Sequence, residues 1–172
     1  MQIDYKFEKA EMDQIDAIWE ILQYAIKKRK EEGSSQWQDG YPNPEVVQKD
    51  IENGYGFVLL NQKDIIGYCS IMINNEPAYA EIKGEWLTND DFIVYHRVAV
   101  SEKYLGKGFS KVMLQSIENF ALDNNIYSLK ADTNFDNAPM LALFEKNGYK
   151  YCGEVFFRGS SRKAFEKVLE KK

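Results

Sequence analysis

The feature that most constrains the fold of this chain is a pair of glycines separated by one lysine. The pair lies at the junction between a strand pattern and a helix pattern. The apolar run FIVYHRVAV, residues 92–100, predicts a strand, and Gly106-Lys107-Gly108 leads from it into helical spacing through Asp123. The first N–H groups of such a helix have no partner within it, and they lie at the positive end of the helix dipole. The junction therefore predicts an anion-binding site.

The residues around the glycines suit an oxygen-rich anion such as a diphosphate. Glycine has no Cβ atom, so the anion can approach the main chain closely, and Lys103, Lys107 and Lys111 add positive charge. A tight turn without a ligand is the alternative that the glycines alone leave open. The P-loop motif fails because Phe109-Ser110 follows the last glycine, and the dinucleotide motif fails because it requires glycine at position 111.

The composition narrows the classes of partner and the number of domains. With 172 residues, 44% of them hydrophobic, we expect one domain over residues 1–172. The net charge of −5 argues against a nucleic-acid partner, which would require clustered Lys and Arg. No apolar run approaches the ~20 residues of a membrane-spanning helix, and the N-terminus MQIDYKFEKAEMDQ does not resemble a secretory signal. We therefore expect a cytoplasmic protein with no membrane partner.

The small number of cysteines and histidines limits the disulfide and metal chemistry that this chain can support. Cys69 and Cys152 each lie in an apolar, strand-like segment, and in a reducing compartment they are expected to be free buried thiols. Two cysteines and one histidine are too few for a typical metal site, so we predict none.

The apolar periodicity predicts mixed α and β structure. The expected helices cover Asp13–Lys30, Pro44–Gly54, residues 108–123 and residues 138–148, and residues 55–74 are predicted to form a hairpin. Further strands are expected at residues 2–7, 92–100, 128–132, 149–157 and 162–169, and residues 74–91 are expected to be irregular. The order implies a predominantly antiparallel sheet with one central crossover.

Two blocks of the sequence resemble the GNAT superfamily of N-acetyltransferases. VAVSEKYLGKGFSKVML, residues 98–114, is similar to the acyl-CoA-binding motif [QR]-x-x-G-x-[GA], with Lys103 where Gln or Arg is usual. DTNFDNAPMLALFEKNGYKYCGEV, residues 132–155, resembles the second conserved block of that superfamily. The resemblance covers most of the chain. It implies an α/β (α+β) fold with a mixed, mostly antiparallel central sheet of six to seven strands, flanked by about four helices.

The resemblance also implies acetyl-CoA as co-substrate and places its contacts. Main-chain groups of Val98 and Val100 would pair with the pantetheine arm, N–H groups of residues 105–109 would hold the diphosphate, and Asn137 would contact the pantetheine near the thioester. The predicted cofactor-binding residues are Val98, Ala99, Val100, Lys103, Leu105, Gly106, Lys107, Gly108, Phe109, Ser110 and Asn137.

The implied reaction is direct attack of a primary amine on the thioester in a ternary complex. Because an alkylamine with a pKa of about 10.4 is almost fully protonated at neutral pH, a base must accept its proton. His96 lies on the central strand at a position similar to one of the paired histidines of arylalkylamine acetyltransferases, and Asp132 is a second candidate. The alternatives are a buried histidine bonded within the sheet and an aspartate that caps a helix or turn.

One position departs from the superfamily pattern. A tyrosine that protonates the leaving thiolate usually stands in an L-Y-E-K-like segment, where this chain has Phe144. Tyr149, Tyr151 or a water would take this role, or the thiolate leaves unassisted, and Tyr149 is included among the predicted catalytic residues. The departure keeps open a non-catalytic acyl-CoA-binding module, and a nucleotide-phosphate binder is a further alternative.

The acceptor side is predicted from one aromatic loop. QWQDGYP, residues 36–42, lies where this superfamily usually builds its acceptor wall, and Trp37 and Tyr41 offer π faces to an ammonium group or an apolar acceptor. Packing of the loop by its own aromatic residues is an equal alternative. We expect a small-molecule or peptidyl amine as acceptor, and an exposed sheet edge favours a homodimer.

Overall fold

The chain contains both strands and helices, as the periodicity predicts. The computed structural model describes residues 4–171. Its strands are β1 (Lys6–Lys9), β2 (Gly56–Asn61), β3 (Asp64–Ile73), β4 (Lys83–Gly84), β5 (Ile93–Val100), β6 (Ser128–Thr133), β7 (Lys150–Phe157) and β8 (Ser160–Val168). Its α-helices are α1 (Ile15–Glu31), α2 (Pro44–Glu52), α3 (Phe109–Asp123) and α4 (Ala138–Lys146), and 3-10 turns lie at Met12–Gln14, Pro77–Glu81 and Glu102–Tyr104.

The strands form one sheet in the order β1-β2-β3-β5-β6-β8-β7-β4. The central pair β5 and β6 is parallel, whereas β1 with β2, β2 with β3, β6 with β8, β7 with β8 and β4 with β7 are antiparallel. The α/β (α+β) class and the mostly antiparallel sheet are thus confirmed. The sheet has one strand more than the upper expectation because the two-residue β4 pairs with Gly153 and Glu154 of β7.

The predicted elements agree with the structure except at some ends and in one segment. The first strand begins at Lys6, later than predicted, and residues 2 and 3 of that prediction lie outside the described residues. The C-terminal segment is a strand, as predicted. Residues 74–91 were expected to be irregular, but they include the turn Pro77–Glu81 and β4.

Two helix starts follow the sequence signals closely. The side chain of Asn43 accepts a hydrogen bond from the N–H of Val46 at 3.0 Å, and Pro44 occupies the first turn of α2. At α4, the side chain of Asn137 accepts from the N–H of Met140 at 3.3 Å. Both asparagines therefore satisfy N–H groups that lack a partner within the helix.

The chain divides into two compact units, each made of two separate stretches. The first contains the residues up to Ile71 together with Arg97–Ser116, and the second contains Met72–His96 and the residues from Ile117 onward. The core of the first unit is formed by Ala10, Ile18, Ile21, Leu22, Ala25, Trp37, Val47, Val58, Leu60, Ile65, Tyr68 and Ala99. A core cluster of the second unit contains Tyr79, Val94, Val155 and Ala164. The expectation of a single domain stays a prediction.

The two cysteines are free and buried, as predicted. Burial raises the pKa of the Cys69 thiol, which keeps it protonated and unreactive at neutral pH. In the described part of the chain, no group of three or more His, Cys, Asp or Glu side chains is arranged to hold a metal ion. No helix formed by the described residues has the length and apolar character needed to cross a membrane.

Candidate active site

The glycine loop predicted to bind an anion lies in the first unit, between the end of β5 and the start of α3. Gly106 and Gly108 have φ angles of +75° and +82°, in the left-handed region that favours glycine. A Cβ atom added at either position would meet no atom within 4 Å. The backbone conformation therefore requires glycine, and the space beside both Cα atoms is open to a ligand.

The backbone donors of this loop are available. Tyr104 donates its N–H to Ser101 at 2.9 Å and Leu105 donates to Glu102 at 3.3 Å, which closes the preceding 3-10 turn. The N–H groups of residues 106–109 donate to no backbone carbonyl of a described residue. These N–H groups, together with the positive end of the α3 dipole, suit a phosphate oxygen.

The start of the loop is fastened to the β2–β3 hairpin by a carboxylate. Oδ2 of Asp64 accepts a hydrogen bond from Nζ of Lys103 at 2.7 Å and another from the hydroxyl of Tyr104 at 2.5 Å. The hydrogen bond from Lys103 is the main cause that lowers the pKa of Asp64. The Lys103 side chain is 70% exposed, and Nζ of Lys107 lies 5.9 Å from the centre of the Tyr104 ring. Lys103 thus has a partner that the sequence did not predict.

The other predicted cofactor residues of the first unit lie at the end of β5, in the glycine loop and at the start of α3. Ala99 and Val100 are buried at the end of β5 and Val98 is half-buried. Phe109 is buried, with its ring centre 5.6 Å from that of Tyr104. Leu105 is half-buried and Ser110 is exposed at the start of α3.

Arg97 of β5 combines an unusual backbone conformation with a buried ion pair. Arg97 has a φ of +56°, which is strained for a residue with a side chain. Its Nε lies 2.9 Å from Oδ2 of Asp50 and its Nη2 lies 2.6 Å from Oδ1, so the pair is bidentate. Nη2 also donates to the Ser70 hydroxyl at 2.9 Å, and the Tyr68 hydroxyl donates to Asp50 at 2.6 Å. No pattern in the sequence predicts this network.

The two predicted acceptor aromatics already contact arginines. Trp37 is buried, and the guanidinium of Arg29 lies 5.6 Å from its ring centre. The Tyr41 hydroxyl accepts a hydrogen bond from Nη1 of Arg97, whose guanidinium lies 5.8 Å from the Tyr41 ring centre. Both aromatics thus pack against side chains outside their loop, and acceptor contact at Trp37 and Tyr41 stays a prediction.

In the second unit, the single histidine lies between two carboxylates. Nε2 of His96 is 2.7 Å from Oε2 of Glu76, and Nδ1 is 3.8 Å from Oδ2 of Asp132. The Tyr79 hydroxyl donates to the same Oδ2 at 2.6 Å. The structure therefore brings together the two predicted bases, His96 and Asp132. It adds Glu76 and Tyr79, which come from the segment expected to be irregular.

Burial controls the charges in this cluster. Burial raises the pKa of Asp132, and the nearby His96 and the hydrogen bond from Tyr79 oppose that rise. Burial also raises the pKa of Tyr79 far above its usual range, so its hydroxyl keeps its proton and remains a donor to Asp132. The cluster therefore contains a buried carboxylate that gains from any added positive charge.

The remaining predicted residues of the second unit occupy buried positions. Asn137 is buried at the start of α4, where its side chain caps the helix. The Tyr149 hydroxyl accepts a hydrogen bond from the Tyr95 hydroxyl at 2.8 Å, and burial raises the pKa of Tyr149. Phe144 is fully buried, 5.0 Å from Tyr149 between ring centres. The roles of Asn137 and Tyr149 stay predictions.

A comparison with known protein families matches the part of the chain that carries the first sequence motif and most of the second. The model of the acetyltransferase (GNAT) family matches residues 18–149, which include the glycine loop, His96 and Asp132. The chain belongs to the GNAT acetyltransferase family. A GNAT acetyltransferase from Streptococcus agalactiae is 30% identical and superposes with a TM-score of 0.89, over 99% of this chain and 100% of that one.

More distant structures share the GNAT fold. A GNAT acetyltransferase from Listeria monocytogenes is 19% identical, with a TM-score of 0.78 over 97% of this chain and 96% of that one. The Salmonella typhimurium protein yncA, solved with its cofactor acetyl-CoA, is 16% identical, with a TM-score of 0.68 over 98% of this chain and 96% of that one. No curated protein matches this GNAT chain.

Proposed function

We propose that this protein is an acetyl-CoA-dependent N-acetyltransferase whose acceptor is a primary amine, carried by a small molecule or a peptide. The observation that carries the proposal is the left-handed loop at Gly106 and Gly108, with open space beside it and unbonded N–H groups before α3. Membership of the GNAT family and the acetyl-CoA held by yncA support the same cofactor.

The chain's own groups divide the binding of acetyl-CoA between them. The N–H groups of residues 106–109 and the α3 dipole would hold the diphosphate, whereas the N–H of Leu105 donates to Glu102. Main-chain groups of Val98 and Val100 would pair with the pantetheine arm as an added strand would. Asn137 would contact the arm near the thioester. Acetyl-CoA supplies the acetyl thioester that the amine attacks.

His96 is the proposed base, and the proton balance of the reaction shows why one is needed. An ammonium acceptor must give up one proton before its nitrogen can form the new C–N bond, and His96 accepts that proton. The nitrogen loses a second proton as the amide forms, while the C–S bond breaks and the departing thiolate takes up one proton. One proton is therefore released overall. We assign protonation of the thiolate to Tyr149, which predicts that Tyr149→Phe lowers kcat without weakening cofactor binding.

Two measurements test the function itself. Calorimetry with coenzyme A should show stoichiometric binding that desulfo-coenzyme A competes for and ATP does not. A thiol-release assay with acetyl-CoA and a broad panel of primary amines should then show turnover. Absence of coenzyme A binding would overturn the assignment, and tight binding without turnover on any amine would favour a non-catalytic acyl-CoA-binding module.

The pH dependence tests the base. Replacing His96 with Gln should lower kcat/KM most at low pH and remove the ionisation of the base from the profile. An unchanged pH profile for His96→Gln would remove this residue from the mechanism.

A further inference from the structure

The side chain of Tyr104 joins the two ends of the glycine loop. Its ring is buried, and its centre lies 5.6 Å from that of Phe109, with the two ring planes at 86° to each other. Phe109 is also buried and is the first residue of α3. Gly106 and Gly108 lie between these two residues in the chain. The edge-to-face contact of the rings therefore closes the base of the loop that carries the proposed diphosphate site.

The hydroxyl of the same tyrosine is held by both ends of the β2–β3 turn. It donates to Oδ2 of Asp64 at 2.5 Å and accepts from Nδ2 of Asn61 at 3.3 Å. Asn61 ends β2, Asp64 begins β3, and the two residues pair across the turn. A third contact lies in the main chain, where the N–H of Ser101 donates to the carbonyl of Ile66 at 2.7 Å. The hairpin thus holds the start of the loop through its backbone and through Tyr104.

The charge of Asp64 does not favour an anion in the loop. The hydrogen bond from Lys103 lowers the pKa of Asp64, so this carboxylate is ionised at neutral pH. Nζ of Lys103 lies 2.7 Å from Oδ2, and the pair therefore adds no net positive charge to the start of the loop. Because like charges repel, any contribution of Asp64 to diphosphate binding comes from the contacts that it makes.

Glycine suits the conformation of this loop but does not fix it. Gly106 and Gly108 adopt left-handed backbones, and glycine in a free chain populates many other conformations, so ordering it costs conformational entropy. If the loop became ordered only when the ligand bound, that cost would lower the affinity, whereas a loop ordered beforehand avoids it. The contacts of Tyr104 order both ends of the loop before a ligand binds.

We propose that Asp64 and Tyr104 are positioning residues for the diphosphate of acetyl-CoA. Asp64 holds the hydroxyl of Tyr104, and the Tyr104 ring holds Phe109, so that the N–H groups of residues 106–109 keep the arrangement that binds the diphosphate. This role requires no contact between either side chain and the cofactor. The inference rests on the proposed function and extends it to two residues outside the predicted set of cofactor contacts.

Two variants of Asp64 separate its hydrogen bond from its charge. Asp64→Asn and Asp64→Ala both remove the negative charge, but only asparagine keeps an acceptor for the Tyr104 hydroxyl. Calorimetry with coenzyme A should give a dissociation constant roughly three- to tenfold lower for Asp64→Asn than for Asp64→Ala, the range expected for one neutral hydrogen bond. The Asp64 side chain is 46% exposed, so neither variant leaves a cavity in the core. Equal affinities in the two variants would overturn the role of Asp64.

Tyr104→Phe removes the hydroxyl and keeps the ring that packs against Phe109. Coenzyme A binding should weaken by roughly fivefold or more, because the lost hydrogen bond is to a charged acceptor. Tyr68→Phe is the matched control, since the Tyr68 hydroxyl also donates to a carboxylate, that of Asp50 at 2.6 Å, but lies outside the loop. Chemical denaturation should show a loss of stability in both variants, while the control keeps the wild-type affinity. Equal weakening in the two variants would overturn the role of Tyr104.

A truncated acetyl donor distinguishes positioning of the diphosphate site from a general loss of structure. With an amine that turns over, Tyr104→Phe should lower kcat/KM for acetyl-CoA by roughly the same factor as the affinity. The value for S-acetylpantetheine, which has no diphosphate, should be unchanged. An equal decrease for both donors would contradict the proposed role.

The inference and the proposed function fail in different ways. Wild-type protein that binds coenzyme A no more tightly than Tyr104→Phe would overturn the positioning role and leave the cofactor assignment intact. Failure of the wild-type protein to bind coenzyme A would instead overturn the proposed function. The calorimetric comparisons require no acceptor, so they apply equally to a non-catalytic acyl-CoA-binding module.

Discussion

At the scale of single residues, Gly106 of the glycine loop can be compared with Gly159, because an alanine would strain the backbone equally at the two positions. Gly106 and Gly159 have φ angles of +75° and +74°, and a Cβ atom at either would meet nothing within 4 Å. Alanine should therefore cost about 1–2 kcal/mol of unfolding free energy at each position, from the left-handed backbone alone. Only Gly106 lies in the proposed diphosphate site.

We accordingly expect Gly106→Ala to weaken coenzyme A binding at least tenfold and Gly159→Ala to leave it unchanged. Chemical denaturation would report the matched loss of stability, and calorimetry would report the affinity. Equal affinities in the two variants would show that the glycine at position 106 serves only the turn.

The sequence pattern identified His96 and Asp132 as candidate bases, but it did not identify the residues that contact them. A histidine on a central strand and an aspartate at a strand end are visible in the sequence as candidate bases. Glu76 and Tyr79 are separated from them by 20 and 53 positions, respectively, in a segment without periodicity. Pairing over such separations is set by the folded sheet, so local sequence carries no signal for it.

At the scale of elements, the left-handed residue Arg97 of β5 forms a buried ion pair with Asp50. Arg97→Gln should lower the unfolding free energy by about 3–5 kcal/mol, because it leaves the Asp50 carboxylate buried without its cation. Arg158 is a matched control, since it also has a left-handed backbone, with a φ of +49°, but is exposed in the β7–β8 turn. Urea denaturation would measure both variants. Similar losses for Arg97→Gln and Arg158→Gln would contradict this role of the ion pair.

The segment from residue 74 to 92 is ordered by long-range side-chain contacts rather than by its own periodicity. Glu166 of β8 is fully buried and accepts from the N–H of Leu87 at 2.7 Å, the Thr88 hydroxyl at 2.5 Å and the Ser128 hydroxyl at 2.6 Å. Nζ of Lys130 lies over the rings of Trp86 and Phe92. This is why the sequence indicated an irregular segment and could not indicate that it carries Glu76.

Glu166→Gln tests that account of the segment. An amide offers one acceptor oxygen in place of two and adds a donor, so at least one buried N–H or hydroxyl loses its partner. The expected loss is about 1–3 kcal/mol, which corresponds to a decrease in Tm of roughly 2–4 °C per kcal/mol. The exposed Glu145 provides the control substitution. An unchanged Tm in Glu166→Gln would show that the segment is held by other contacts.

At the scale of the whole molecule, the fold was predictable because local and global signals agree. Asn43 with Pro44 marks the start of α2, and the order strand, helix, strand indicates the parallel crossover from β5 through α3 to β6. The second conserved block fixed α4 and β7 in the same way. The contacts between buried polar groups, such as Asp50 with Arg97, could not be predicted. In the sequence, a charged residue of a buried pair looks the same as a charged residue on the surface.

The stability of the whole molecule should reveal the cost of keeping Asp132 buried. Because its pKa is raised in the folded state, wild-type protein loses stability as the pH rises from the unfolded value of 3.8 through the folded pKa. Asp132→Asn removes this ionisation, and its amide oxygen still accepts from Tyr79. We therefore expect a higher Tm than wild type above the folded pKa and a difference that shrinks as the pH falls through that pKa toward 3.8. Thermal melts of both proteins from pH 4 to 8 would measure it. A lower Tm for Asp132→Asn at pH 8 would mean that the carboxylate stabilises the fold, contrary to the raised pKa that burial gives it.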